Sequence, residues 1–402
     1  MIIFTIRKFP DIDNFCPLID HLAKKNIKIR IFSLNFYDDL SKNYRIKYLL
    51  KKYTCIEFNN FKDLILLNFY QNYLINLEYS FLNKKLIDKF IYKILQKFGI
   101  FNAIRDFFFK DKNLFFKDSS VKTLVIDHLT PEKLFYFNLI FKNLKKKKIK
   151  IVSIPAGLPL YLIHPKPWNQ AKHEISNLSY KVDNIVIQHK YWLKEINNFK
   201  KINNNFKILG SIRYLQSWRK TLLKIKKDRI YKKQKNKINI VYMDSNNPNH
   251  IDFIELKQKT LDLISKNNKF EVKFKPHPRS NKIYIKLNKN IEVCEKEDSL
   301  NLINWADVVL GDISAIMIET LLQNKRYISL SYLRKKNNIM LYDKYDICEE
   351  CNDIKDLNRM ILIGIKLNEK KLFKKNLKRF MDDFVYYPQK DVLNEYEKII
   401  IN

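Results

Sequence analysis

Glycine is nearly missing from this chain, with 5 residues in 402. A Gly-rich loop that cradles phosphate on backbone N–H groups is therefore excluded, and a phosphate site must use side chains and helix ends. Cysteine is equally sparse: 5 scattered residues make no disulfide framework. Cys348-Glu-Glu-Cys351 is one CxxC with neither a second pair nor a nearby histidine, whereas a structural zinc site needs about four ligands. Both read as ordinary thiols of a reducing compartment. No apolar run approaches the roughly 20 residues of a membrane span. The longest, residues 151–163, is broken by Pro155, Gly157 and Pro159. Residues 1–7 read as a strand and lack the basic and apolar regions of a signal peptide. These features predict a cytoplasmic protein, with peripheral attachment to the inner face of the cell membrane as the alternative.

Acidic residues are also short, 42 against 76 Lys and Arg, which leaves a net charge of +34. Such a balance suits anionic partners: nucleotides, lipid head groups or nucleic acid. Lys, Asn, Ile, Phe and Tyr are all abundant while Ala is scarce, so most of the excess reads as compositional bias and the rest as affinity for anions.

The chain is long enough for two domains, each with its own core, and 46% hydrophobic and 14% aromatic content marks it as folded. Residues 2–6, 12–25 and 27–34 read as strand, helix, strand, with a loop over 7–11. That unit implies a parallel sheet, whose ligands bind at the C-terminal strand ends. Arg7, Lys8, Asp11 and Asp13 fall at such an end. Residues 44–118 read as mainly helical with a short strand near 55–58. Within them, 64–109 mixes aliphatic and aromatic residues with Lys, the pattern of core helices or of an element lying on an anionic membrane. Strands follow at 122–127, 149–154, 182–187 and 206–209. Asp127-His128 ends the first of these, and Thr130-Pro131-Glu132 has the chemistry of a helix start. Residues 238–243 open a second sheet, with Ser245 in its first strand-to-helix turn, placed to donate to a phosphate. After Leu330 the chain reads as helical again.

The most informative stretch runs over residues 272–330. Residues 272–275 form a strand, and Pro276 and Pro278 hold His277 and Arg279 in the turn beyond it. Residues 308–310 form another strand. Gly311-Asp312 then turns, and Ser314 is placed to cap a helix starting at Ala315. A helix start attracts anions, and His277 and Arg279 from a neighbouring strand end would complete a phosphate site. Glu319, one turn into the helix, is placed to accept from ribose hydroxyls.

Pro276-His277-Pro278-Arg279, Ala306-Asp307-Val308-Val309, Asp312-Ile313-Ser314, Glu319 and Asn324-Lys325 with Ile328 together resemble the donor-binding half of certain bacterial GT-B transferases. These are the CDP-glycerol glycerophosphotransferase-like enzymes and the related capsule and lipopolysaccharide transferases using CMP-linked sugars. The likeness covers roughly residues 238–330, and Gly210-Ser211-Ile212-Arg213 resembles the segment closing their N-terminal domain. It implies a GT-B-like α/β fold of two Rossmann-type parallel-sheet domains facing a cleft, with a helical insertion in the first. The domains would be 1–215 on the acceptor side, with the insertion at about 60–118, a basic linker 216–237, and a donor domain 238–385. A last helix, 386–402, would cross back. The resemblance assigns His277 and Arg279 to the His-Pro motif, and Asp312 and Ser314 to the Ser motif. Two departures stand out: Ala315 replaces the usual second Ser, and Ala156 stands where many of these enzymes place a catalytic His before Gly157.

The expected activity is metal-independent and cofactor-free transfer of a glycosyl or alditol-phosphate group from a cytidine-linked donor to a glycan or lipid-linked acceptor. An anionic membrane surface is the further partner. The candidate bases are His128 and Asp13, the first having the better unperturbed pKa. Two rival readings stay open: a UDP-sugar 2-epimerase on the same fold, and a basic nucleic-acid-binding protein. The even spread of Lys and the lack of any RNA- or DNA-binding motif count against the latter.

Overall fold

A computed structural model describes residues 1–7, 9–34, 39–60, 120–128, 144, 148–155, 178, 182–197, 205–225, 232–233, 236–245, 251–277, 285–311, 314–334, 341–364, 371–385 and 391–402. The expected helical insertion, the helix start at Thr130, and Ala156, Arg279 and Asp312 lie outside these residues.

Two parallel sheets organise the protein. The first carries β1 (Ile2–Ile6), β2 (Ile29–Ser33), β3 (Ile56–Asn60), β4 (Thr123–Asp127), β5 (Lys150–Ile154), β6 (Asn184–Ile187) and β7 (Phe206–Ile208), in the order β3-β2-β1-β4-β5-β6-β7. The second carries β8 (Ile238–Met243), β9 (Phe270–Lys275), β10 (Ile291–Val293), β11 (Val308–Gly311), β12 (Arg326–Leu330) and β13 (Glu349–Cys351), in the order β10-β9-β8-β11-β12-β13. Both follow the doubly wound pattern, in which the order reverses beside the first strand and leaves a crevice at the C-terminal strand ends. β1 and β4 are buried along their whole length, as strands covered by helices on both faces must be.

The helices are α1 (Phe9–Lys24), α2 (Tyr44–Lys52), α3 (Lys190–Asn197), α4 (Gln216–Ile225), α5 (Ile251–Ser265), α6 (Ser299–Trp305), α7 (Ile316–Leu322), α8 (Leu357–Ile363), α9 (Lys371–Phe380) and α10 (Val392–Ile401). The loop expected at 7–11 is shorter than its sequence suggests. α1 begins at Phe9 because Pro10 sits in the first turn, where a missing N–H removes no helical bond. Beyond Leu330 the chain is not wholly helical: β13 adds an edge strand through three residues. A strand so short has too few positions for alternation to show, and β10 escapes the sequence pattern for the same reason.

α10 leaves the second sheet and packs on the first. Thr123 Oγ1 donates to the Ile400 carbonyl at 2.8 Å, and the Tyr396 hydroxyl donates to the Gly210 carbonyl at 2.8 Å. His21 Nε2 lies 2.6 Å from the Glu397 carboxylate. Val392, Tyr396 and Ile400 join the core of α1 and β1.

Gly311 ends β11 at the crevice of the second sheet. A Cβ there would stand 2.6 Å from the hydroxyl of the buried Tyr327. Gly311→Ala is expected to destabilise the protein by about 1–3 kcal/mol through overpacking. Urea unfolding should show a smaller loss for the same change made in a Tyr327→Phe background.

Candidate active site

The strand ends of both sheets carry buried charge. At the end of β1, the Arg7 guanidinium lies 3.3 Å from the Asp127 carboxylate at the end of β4, and its backbone N–H donates to Asp11 at 2.8 Å. β1 and β4 are neighbours, so this pair marks the reversal point of the first sheet. His128 follows directly. It is buried, and its Nδ1 is 2.8 Å from Ser153 Oγ near the end of β5. Burial pushes its pKa down to about 4 against the opposing pull of Asp127 and the Val186 carbonyl, so the ring is neutral at pH 7.

In the second sheet β8 lies between β9 and β11. Their ends therefore bring Ser245, His277 and Ser314 to one edge. Ser314 Oγ accepts from the Ile316 N–H at 3.2 Å, so the helix starts one residue later than the spacing predicts, with Ala315 at its cap position. Ser245 gives its carbonyl to the Lys257 ammonium at 2.7 Å, and the same ammonium pairs with Asp244. Lys275 is buried, with its ammonium 2.7 Å from the Glu295 carbonyl.

Between the two sheets lies a cavity of about 260 Å³. Asp13, Arg45, Arg213, Trp218 and Leu222 line it from one side; Lys275, Asp298, Leu300, Ile316 and Glu319 line it from the other. Six side chains of alternating sign run through it. Arg219 lies 3.5 Å from Glu319, Glu319 lies 3.5 Å from Arg213, and Arg213 lies 3.4 Å from Asp13. Asp13 lies 3.2 Å from Arg45, and Arg45 lies 3.7 Å from Asp298. The chain starts in α4, touches the second domain at α7, crosses α1 and α2, and returns to the second domain at α6. Asp298 closes it by capping α6 and accepting the Tyr44 hydroxyl at 2.6 Å.

Burial raises the Glu319 pKa despite Arg213 and Arg219 beside it. Burial opposes the charge of Arg213, but Tyr214, Asp13 and Glu319 hold its pKa above the ordinary value. Asp13, Asp298 and Tyr44 likewise outweigh the burial of Arg45.

The structure thus separates the sequence-predicted residues into groups. Asp13 and Glu319 line the cavity, but their oxygens face guanidinium groups. The Glu319 carboxylate, expected to accept from ribose hydroxyls, is buried between Arg213 and Arg219. His277, Ser314 and Ser245 share the adjoining sheet edge. His128 stands at the end of β4, outside the set that lines the cavity. Arg279 and Asp312 lie outside the described residues. Sequence reasoning missed Arg45, Arg219, Asp298 and Lys257. Asp298 offered a signal as a helix cap before an apolar run; Arg45 and Arg219 sit in basic helices, and Lys257 sits in a helix of mixed charge, where nothing distinguishes them from solvated Lys and Arg.

Cys348 and Cys351 are unpaired thiols, both with pKa raised by burial, the latter to about 11. No group of three or more His, Cys, Asp and Glu side chains among the described residues is placed to hold a metal. Among those residues no helix is long and apolar enough to cross a membrane.

No family model and no curated protein matches the sequence. Solved structures do match the fold along nearly the whole chain. The UDP-GlcNAc 2-epimerase from Neisseria meningitidis bound to UDP-GlcNAc has a TM-score of 0.59 at 14% identity, with 99% of each chain covered. S. aureus MnaA with UDP has a TM-score of 0.55 at 13% identity, covering 100% of this chain and 97% of that one. The calicheamicin glycosyltransferase CalG4 has a TM-score of 0.51 at 10% identity, covering 99% and 97%. The fold is therefore GT-B-like, an architecture that epimerases and glycosyltransferases share.

Glu319→Ala leaves Arg213 and Arg219 facing each other without a counter-charge. A loss of about 3 kcal/mol in urea unfolding is expected, with Glu319→Gln losing less because it still accepts hydrogen bonds. His128 supplies a pH signature. Its folded pKa is depressed, so the unfolded chain binds the extra proton between pH 6.5 and 4, and stability falls as pH drops through that window. The wild type should lose up to about 3 kcal/mol more than His128→Asn between pH 7 and pH 4.

Proposed function

We propose that this protein is an enzyme acting on a nucleotide-activated sugar or alditol, and that it transfers the activated group in glycan biosynthesis. The observation carrying the proposal is that Arg213 and Lys275 line the cavity between two Rossmann-type sheets, with His277 and Ser314 on the adjoining ends of β9 and β11. In open α/β sheets this is the place for a nucleotide, and the four groups supply the cations and donors that a phosphate needs.

In this reading the acceptor hydroxyl attacks the donor carbon or phosphorus, and the bond to the nucleotide phosphate breaks. The departing phosphate takes the electron pair. Arg213, Lys275 and His277 meet its charge in a water-poor site where such contacts act most strongly. The proton of the acceptor passes to His128 or Asp13. His128 has the neutral form that a base requires. Asp13 lines the cavity, and a donor phosphate that draws Arg213 away would free one of its oxygens. Arg279 and Asp312 complete the donor site on the strength of the motif resemblance.

The motif resemblance favours a cytidine-linked donor, as in the CDP-glycerol and CMP-sugar transferases. A second reading, a UDP-sugar 2-epimerase, draws support from the neighbours crystallised with UDP-GlcNAc and UDP. Isothermal titration with CMP, CDP, UMP and UDP separates the two. Cytidine-selective binding is the expected result, with losses of about 1.5–3 kcal/mol in His277→Ala and Arg213→Ala, the range of charge-assisted hydrogen bonds. Uridine selectivity together with isomerisation of UDP-GlcNAc would establish the epimerase instead. Binding of RNA without any mononucleotide would overturn both.

A further inference from the structure

Beside the central cavity, α2 and α4 enclose an open groove of about 670 Å³. Lys47 and Lys51 on α2 and Lys224 on α4 line it, with the rings of Tyr44 and Tyr48 and the hydroxyl of Thr221. Among the described residues no carboxylate lines it. Nearby acids are already engaged: Asp20 pairs with Lys24 and Lys52, and Asp13 with Arg45 and Arg213. Lys47, Lys51 and Lys224 are exposed and form no ion pair with any described residue. Lys47 and Lys51 are four residues apart on one helix, so they project from the same face.

The groove is built rather than incidental. Tyr48 and Trp218 join its two walls with ring centroids 6.5 Å apart, and the Lys52 ammonium holds the Tyr48 hydroxyl at 2.6 Å. Tyr44 is shared between groove and cavity: its ring lines the first, and its hydroxyl donates at 2.6 Å to Asp298, which lines the second. Trp218 and Leu222 of α4 face the cavity, while Thr221 and Lys224 of the same helix face the groove. A chain lying in the groove would have its end directed at the cavity.

We propose that this groove binds an anionic glycan chain, the acceptor whose end reaches the central cavity. The inference rests on the transferase reading above and adds the chemistry of the acceptor. Tyrosine rings offer apolar surface to sugar faces, the Tyr48 hydroxyl, which accepts from Lys52, keeps its proton to donate, and the three ammonium groups select for carboxylate or phosphodiester along the chain. A neutral glycan would leave those ammonium groups uncompensated.

The test is calorimetric binding of three oligosaccharides to the full chain: a hyaluronan hexasaccharide bearing carboxylates, a glycerol-phosphate hexamer bearing phosphodiesters, and neutral chitohexaose. At least one anionic chain should bind and chitohexaose should not; which one binds names the anion. The triple variant Lys47→Ala/Lys51→Ala/Lys224→Ala should weaken that binding by about tenfold or more and make its salt dependence shallower by about two to three in log–log slope. As a control for overall positive charge, Lys371→Ala/Lys374→Ala/Lys375→Ala on α9 should change it by less than about twofold. Binding of neither anionic chain, equal losses in the two variants, or tighter binding of a uridine hexanucleotide would overturn the inference. CDP and UDP titrated into the same samples separate the two claims. Retained nucleotide binding without glycan binding removes the groove alone, and loss of both removes the transferase reading as well.

Discussion

A carboxylate that is almost completely withdrawn from water, Glu319, holds this structure to its form. A charge in that position is costly unless it is matched, and it is matched by Arg213 and Arg219. Those two arginines belong to the segment around α4, which packs with the first domain, whereas Glu319 belongs to the second. The pairing therefore specifies how the two domains face each other. Through Arg213 it extends to Asp13, Arg45 and Asp298, so that two points on the second domain are tied to one continuous surface of the first. Buried ion pairs contribute little net stability compared with apolar packing, but a misaligned arrangement would leave several charges uncompensated. The result is a preference for one domain arrangement over its neighbours.

That arrangement also makes one polar cavity from two ordinary sheets. Each sheet offers a row of strand ends. On the first these carry Arg7, Asp127 and His128; on the second, Ser245, His277 and Ser314. Neither row alone encloses a ligand. Placed face to face, with α10 returning to seal the first core, they leave a small polar space whose cations are held in position by acids. On the proposed function, a phosphate entering it would compete for Arg213 with Asp13 and Glu319.

The same economy appears at the edge of the cleft. α2 and α4 supply Arg45, Trp218 and Leu222 to the cavity, and from their adjacent faces Lys47, Thr221 and Lys224 to the groove. Helical periodicity makes this division natural: residues three or four apart share a face, and those between them point elsewhere. One pair of helices therefore lines both the cavity and the groove, with Tyr44 lining the groove and bonded to Asp298 of the cavity.

The alternation of strand and helix was legible in the sequence, because strands such as residues 2–6 and 308–310 are continuous apolar runs and parallel strands must be buried on both faces. The sheet edge with His277 and Ser314 was legible too, since Pro276 cannot continue a central strand and Gly311-Asp312 reads as a turn. The departures have local causes. Pro10 reads as a loop breaker yet suits a first helical turn, and Glu349–Cys351 is too short to show a period. What the sequence by itself determined was thus the set of local elements and the positions of their ends, which depend on backbone sterics and short-range burial. Only the tertiary structure decided that Arg45, Arg213 and Lys275 line the cleft, and that Glu319 faces Arg213 and Arg219 rather than solvent. Charge pairing across domains depends on distances between residues hundreds of positions apart, and no local pattern in the chain encodes them.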